Sequence, residues 1–292
     1  MYNLYNLSVI ALLLTGISSA LAQDTSATQG WKFSASGYFQ VLMNNTAQSF
    51  MLPFAKATIH GTYSKKLSFH IELRPTVGNP LVKAYMGYSL NKLITIMLGQ
   101  IPNPMKWIEP EPEEKQFAYY ALYETYVSNG DDIGLALYGK TSQLIYYACL
   151  LNGTGRNLLD NNKSKDVVGY ISYAFWPELK VEAAAQTGKQ PNDVTRTSGF
   201  ARFTLYPWPQ LQLAFATIGR NDLKAGGWYS TTNYTIGDWS LLGRIHKTIP
   251  GNNPEFTLGC QVGTIPVKLQ LNTMIGKTRH PEIVLVAQIY IQ

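Results

Sequence analysis

Charge is the first thing this 292-residue chain has little of. Asp, Glu, Lys and Arg make up 14% of it, against the roughly 25% of ordinary soluble domains, so much of its surface is not composed for water. Long apolar runs are missing too. Stretches such as 93–98 and 283–287 break off early, far short of the roughly 20 residues a transmembrane helix needs. A helical membrane protein is thereby excluded, leaving a water-soluble chain or one that crosses a membrane as strands. Cysteine is scarce: Cys149 and Cys260 lie in different apparent strands. An oxidising compartment would allow one bridge between them, but two cysteines make no disulfide framework. Neither has a His or Cys beside it at ligand spacing, so small apolar filler is the expected role.

Catalytic signatures are also absent. There is no G-x-S-x-G, no H-E-x-x-H and no phosphate-cradling P-loop, so nucleophilic, zinc and phosphoryl chemistry have no motif to stand on. None of the four histidines, His60, His70, His246 and His280, has in sequence the Ser and Asn neighbours that a lipid-face hydrolase would need. No nucleic-acid-binding module is present. The expectation is a non-enzyme without a cofactor, a metal centre or a nucleic-acid partner.

The first 22 residues lack every charged side chain. They carry an apolar run, Val9-Ile-Ala-Leu-Leu-Leu-Thr-Gly-Ile17, and end in Ser19-Ala-Leu-Ala22. A short apolar stretch followed by small residues is the pattern of a cleaved secretory signal. Residues 1–22 are therefore expected to be a signal peptide and 23–292 the exported protein, with the net charge of +6 kept in the mature part.

What the sequence has in plenty is alternation with period two, the signature of half-buried strands. In Leu67-Ser-Phe-His-Ile-Glu-Leu-Arg74, the apolar set Leu67, Phe69, Ile71 and Leu73 alternates with Ser68, His70, Glu72 and Arg74. The pattern recurs in 31–41, 239–246 (apart from Leu242) and 266–272. Short turns at 64–65, 91–92, 139–142, 176–178, 207–209, 237–238 and 264–265 alternate with longer loops. Tight turns at one end and loops at the other mark an up-and-down transmembrane barrel. Sixteen strands follow: 31–43, 52–63, 66–74, 80–90, 93–101, 131–140, 143–151, 167–175, 179–187, 196–206, 210–219, 226–236, 239–247, 255–263, 266–274 and 282–291. Most approach the ~9–11 residues that cross a bilayer at a tilt, and a closed barrel leaves no backbone polar group unpaired in lipid. Phe175, Trp176, Tyr206, Trp208 and Trp239 stand at strand ends, where aromatic rings form an interfacial girdle. The fold class expected is all-β, an antiparallel transmembrane barrel.

The connection 102–130 is the longest. It holds Glu109, Glu111, Glu113 and Glu114, then Tyr119, Tyr123 and Tyr126, which share a face at helical spacing. A solvated acidic loop is one reading. Long loops without a function are uncommon, so the expected one is a third loop folded inward to constrict the barrel.

Two segments carry a resemblance. Leu98-Gly-Gln-Ile-Pro-Asn-Pro104 resembles the "GQ-x-x-x-P" strand end of the phosphate-selective porin O/P family and its general-porin relatives. Tyr126-Val-Ser-Asn-Gly-Asp-Asp-Ile-Gly-Leu-Ala-Leu-Tyr-Gly139 is similar to the "R-D-x-G" strand after that family's third loop. Gly37-Tyr-Phe-Gln40 and Tyr85-Met-Gly-Tyr-Ser-Leu90 fit the same register. The resemblance implies a sixteen-stranded barrel, a constricting third loop, homotrimers and passive solute transport. The chain departs from it at Asp131, where the family has Arg, and at its last residue, Gln292, where many outer-membrane barrels have Phe. No ladder of arginines of the phosphate-specific kind is present, so phosphate selectivity is not expected.

If the polar face of each strand points inward, the wall carries Lys32, Lys56, His60, His70, Arg74, Lys83, Lys180, Arg196, Arg202, Arg244, His246 and Lys268 against Glu72 and Glu182 only. A wall of one sign concentrates counter-ions. The expected function is a bacterial outer-membrane porin, seated in lipid, that passes small hydrophilic solutes with a weak preference for anions. The alternative is a non-conducting barrel serving as an adhesin or structural protein, which longer loops would mark.

Overall fold

A computed structural model of the chain describes residues 30–44, 49–63, 66–75, 79–108, 130–158, 160, 163–189, 195–208, 211–221, 225–249, 253–263, 267–275 and 282–291. The expected signal peptide lies outside the described residues, as do the turns at 64–65 and 264–265. So do Glu109, Glu111, Glu113, Glu114, Tyr119, Tyr123 and Tyr126.

Sixteen antiparallel strands close into one barrel, each paired with its neighbours in the chain and the last with the first. They are β1 (Trp31–Asn44), β2 (Ser49–Tyr63), β3 (Leu67–Leu73), β4 (Leu81–Ser89), β5 (Thr95–Ile101), β6 (Asp132–Lys140), β7 (Leu144–Leu151) and β8 (Asp166–Trp176). Then come β9 (Leu179–Lys189), β10 (Thr195–Trp208), β11 (Leu211–Arg220), β12 (Ala225–Ile236), β13 (Trp239–Ile249), β14 (Glu255–Val262), β15 (Val267–Ile275) and β16 (Glu282–Ile291). The largest departure from the alternation pattern is at the start of β2, Ser49 rather than 52, where Pro53 interrupts the dyads.

Period two separates two surfaces. Along β8, Asp166, Val168, Tyr170 and Ser172 are buried while Val167, Ile171 and Tyr173 are exposed. Leu213 and Phe215 on β11, Leu241 on β13, Leu258 on β14, Leu269 and Leu271 on β15, and Ile283 and Leu285 on β16 continue the exposed apolar face. Around the turn end stand exposed Trp31, Tyr63, Tyr88, Phe175, Trp176, Trp208 and Trp239. The opposite face points inward and carries the polar residues. An apolar outside around a polar inside inverts the soluble arrangement, and closure leaves no strand edge.

One sector of the interior is apolar. Met97, Ile101, Ala136, Tyr147, Cys149, Leu151, Val168, Tyr170, Ala184, Phe200, Ala216, Ile218 and Tyr229 form a continuous buried cluster with Met105 and Ile108. The last two belong to a single 3-10 turn, Pro104–Ile108, which leaves β5 and packs against β8, β9 and β10. The long third connection thus begins by folding inward. Both cysteines are free thiols.

Candidate functional site

The interior is organised by the two ends of that connection. Gly99 has φ 127, and a Cβ there would lie 2.4 Å from the Ala84 carbonyl oxygen, so only glycine fits. Gln100 then turns its amide onto the carbonyls of Leu81 and Val82 at 3.0 and 2.9 Å, and accepts from the Asn157 backbone N–H at 2.7 Å. The Gly99-Gln100 pair fastens β5 to β4 and to the loop after β7. At Asn103 the side-chain oxygen accepts the Met105 N–H at 3.0 Å and opens the 3-10 turn, while its amide reaches Gln186 at 3.2 Å.

Three contacts hold the turn against the wall. Lys106 Nζ reaches the Asp131 carboxylate at 2.7 and 2.8 Å, which ties the start of the third connection to its end. The Trp107 ring stands edge-on to Tyr170 at 4.6 Å and to Tyr147 at 5.3 Å between centroids. The Ile108 carbonyl oxygen accepts from Arg202 Nη1 at 2.9 Å and from the Tyr229 hydroxyl at 2.6 Å. At the far end of the connection, Asp132 accepts the backbone N–H groups of Ile133, Gly153 and Gly155 at 2.7, 2.7 and 3.2 Å.

Charged side chains meet in four inner groups. Glu72, 1% exposed, takes Arg74 Nε at 2.6 Å and Lys83 Nζ at 2.9 Å. The Arg74 guanidinium also lies 4.7 Å above the Phe54 ring. Glu182 takes Arg202 at 2.7 Å, Lys180 at 3.0 Å and the Tyr170 hydroxyl at 2.7 Å. Asp166 pairs with Arg196 and accepts from Gln186. On the other side of the barrel, Arg244 donates to Thr257 at 3.4 Å and His246 lies 3.7 Å from Glu255. Lys268 stands nearly buried in a lateral row with Gln288 and Gln40. Charges enclosed together stabilise only when partners and hydrogen bonds are in place, and Glu72, Glu182 and Asp166 have them.

The wall residues named from the sequence fall on the inner face, but in different surroundings. Lys32 is exposed at the turn end of β1, on the face shared with His60. Lys56 pairs laterally with Tyr38, and His60 stands opposite His70. Arg74, Lys83, Lys180, Arg196 and Arg202 are all engaged with carboxylates. The expectation of two inward acids is corrected: Asp131, Asp132 and Asp166 are also buried within the barrel, each 1% exposed. Glu255 belongs to the inner face as well, through its register with His246. These acids were missed because they sit at strand ends, where alternation has not begun. Lys106 escaped the same search because it lies in a connection.

No protein-family model matches the chain, and no curated protein sequence matches it. Solved structures do. A loop-deletion mutant of OmpT, an outer membrane protein of Vibrio cholerae, superposes with a TM-score of 0.67 at 10% identity, covering 89% of this chain and 99% of that one. A mutant of the Rh. blastica porin gives 0.64 at 10% identity, covering 90% and 100%. A triple mutant of the Rhodopseudomonas blastica porin gives 0.63 at 9% identity, with the same coverage. At these identities the likeness is one of fold, over essentially the whole barrel.

Proposed function

We propose that the chain is a bacterial outer-membrane porin, assembled as a homotrimer, that passes small hydrophilic solutes by diffusion with a weak anion preference. The observation that carries this reading is the division of the barrel surface among the described residues: an exposed, mainly apolar face outside, and enclosed charged side chains inside. Lipid on one side and water on the other would select that division. The likeness of fold to outer-membrane porins supports the same reading.

The anion preference rests on local charge balance. Glu72 and Glu182 each engage two cations, so each group is net positive by one (two minus one). Asp131 and Asp166 are matched one to one by Lys106 and Arg196. Lys56, Arg244 and Lys268 add three positive charges on β2, β13 and β15, against Asp132 and Glu255. These inner groups keep a net charge of three positive (two from the Glu72 and Glu182 groups, plus three, minus two). A low-dielectric wall of that sign favours anions. Reversal potential under a KCl gradient across a planar bilayer tests the proposal. An anion-selective potential with discrete conductance steps is expected. Cation selectivity would overturn the preference. Absence of steps would return the barrel to the adhesin or structural reading, which the apolar filling of the β5–β12 sector favours.

A further inference from the structure

Four inner-face residues form a lateral row across the first four strands: Ser34, His60, His70 and Tyr85, each opposite the next. The two imidazoles come from positions ten residues apart in the chain, and only the β2–β3 register brings them together. Directly opposed residues of an antiparallel pair have Cβ atoms about 4.5–5.5 Å apart. The ring centres of His60 and His70 are 6.3 Å apart at an interplanar angle of 57°. His70 is held flat against Tyr85, with centroids 5.1 Å apart at 15°. Its Nε2 is shielded from solvent and makes no hydrogen bond. Glu72 Oε2 lies 3.9 Å from that nitrogen.

We propose that His60 and His70 form a two-histidine site on the inner wall that takes a divalent transition-metal ion of the zinc, copper or nickel class. The chemistry follows from the ligands. Imidazole nitrogen suits these ions and not calcium or magnesium, which demand oxygen. A zinc ion sits about 2.0–2.1 Å from each ligating nitrogen. With the ring radius added on both sides, one ion can bridge rings whose centres are 6.3 Å apart after modest rotation. The stack on Tyr85 fixes the plane of one ligand in advance.

The charge environment permits the ion. Glu72 is the acid placed beside His70; its cations Arg74 and Lys83 contact the carboxylate, and Lys56 on β2 acts on it from further off. Toward the turn end the next inner positions are hydroxyls, with Thr62 opposite Ser68 and Ser34 opposite His60, and exposed Lys32 lies one position beyond, opposite Thr62. Among the described residues no set of three His, Cys, Asp or Glu side chains converges on one point. The site therefore offers two protein ligands and leaves the other positions to water. Such a site binds reversibly from the lumen.

Titration of the untagged, detergent-solubilised barrel with zinc chloride tests this by calorimetry, independently of any transport. Saturable binding of one zinc ion per chain is expected. It should be lost in His60→Gln and in His70→Gln, and kept in His246→Gln, whose imidazole lies on β13 beside Glu255. Magnesium should give no saturable signal. Wild-type binding in either His60→Gln or His70→Gln, or no saturable zinc binding by the intact barrel, would overturn the site. A second arm, zinc block of single-channel current, rests on the porin reading. If no channels form, that reading fails while the calorimetry still decides the metal site.

Discussion

Arg202 and Ile108 stand 94 residues apart in the chain, yet the guanidinium donates to the Ile108 carbonyl oxygen at 2.9 Å. The same guanidinium is gripped by Glu182, which Lys180 and the Tyr170 hydroxyl also contact. Arg202 is therefore a clamp on the third connection rather than a charge offered to solutes. Arg202→Gln should remove the clamp and leave Glu182 with the Lys180 ammonium and the Tyr170 hydroxyl. Breaking one partner of a buried pair costs about 3–5 kcal/mol, and because Lys180 remains, about 3 is expected here. Tyr229→Phe removes one hydrogen bond to the same carbonyl, for about 1 kcal/mol. Urea unfolding in detergent measures both. Bilayer recordings should show noisier and larger single-channel currents for Arg202→Gln than for Tyr229→Phe. Identical currents in both variants and wild type would show that the clamp does not shape the pore.

The Lys106–Asp131 pair, at 2.7 Å with both side chains largely enclosed, closes the base of the third connection. Lys106 gives the charge of Asp131 its partner. Lys106→Met alone strands a buried carboxylate and should cost about 3 kcal/mol, whereas Lys106→Met with Asp131→Leu should recover most of it, because apolar replacement of a buried pair is often near neutral. A double-mutant cycle on unfolding free energies checks this. Additive losses would mean that the two side chains act independently.

The strands and their closure were legible because lipid, water and backbone geometry impose one rule on every strand. On β3, Phe69, Ile71 and Leu73 against His70 and Glu72 stated both faces outright. The rule failed on β7. There Tyr147, Cys149 and Leu151 turn inward while Leu150 faces out, so both faces are apolar and no polar side marks the interior. Its cause is the turn Pro104–Ile108, which covers that sector with Met105, Trp107 and Ile108. Nothing in the β7 sequence announces a loop arriving from 40 residues away. The anchor itself was equally hidden, since its acceptor is the Ile108 backbone carbonyl, which has no residue type to recognise. The cations named from alternation stand on the inner face of the strands. Their partners were not legible, because pairing depends on lateral register, and register is not written in any single strand.

The outer face yields a sharp expectation. Ile171 lies midway along β8 and is 51% exposed on the apolar belt. If that belt faces hydrocarbon, Ile171→Arg should destabilise the barrel folded in vesicles by about 2–4 kcal/mol, while Ile171→Leu should be silent. In a water-solvated barrel the arginine would cost almost nothing, so a change near zero would remove lipid from the account of this surface.

Selectivity can be assigned to one wall. Lys268, 9% exposed, projects from β15 into the row with Gln288 and Gln40, and Arg244 projects from β13 beside Thr257. Lys268 lies three strands beyond β12, where the sector held by the third connection ends, and Arg244 stands on the strand next to β12. Each reversal to Glu changes the local charge by two units, and a field in a confined low-dielectric passage is not screened as it is at an open surface. Lys268→Glu and Arg244→Glu should each move the KCl reversal potential toward cations, and the double variant further. Reversing Arg196, which is enclosed with Asp166, should chiefly destabilise the barrel. If Arg196→Glu shifted selectivity as strongly as Lys268→Glu while folding normally, solutes would be sampling the β8–β10 wall instead.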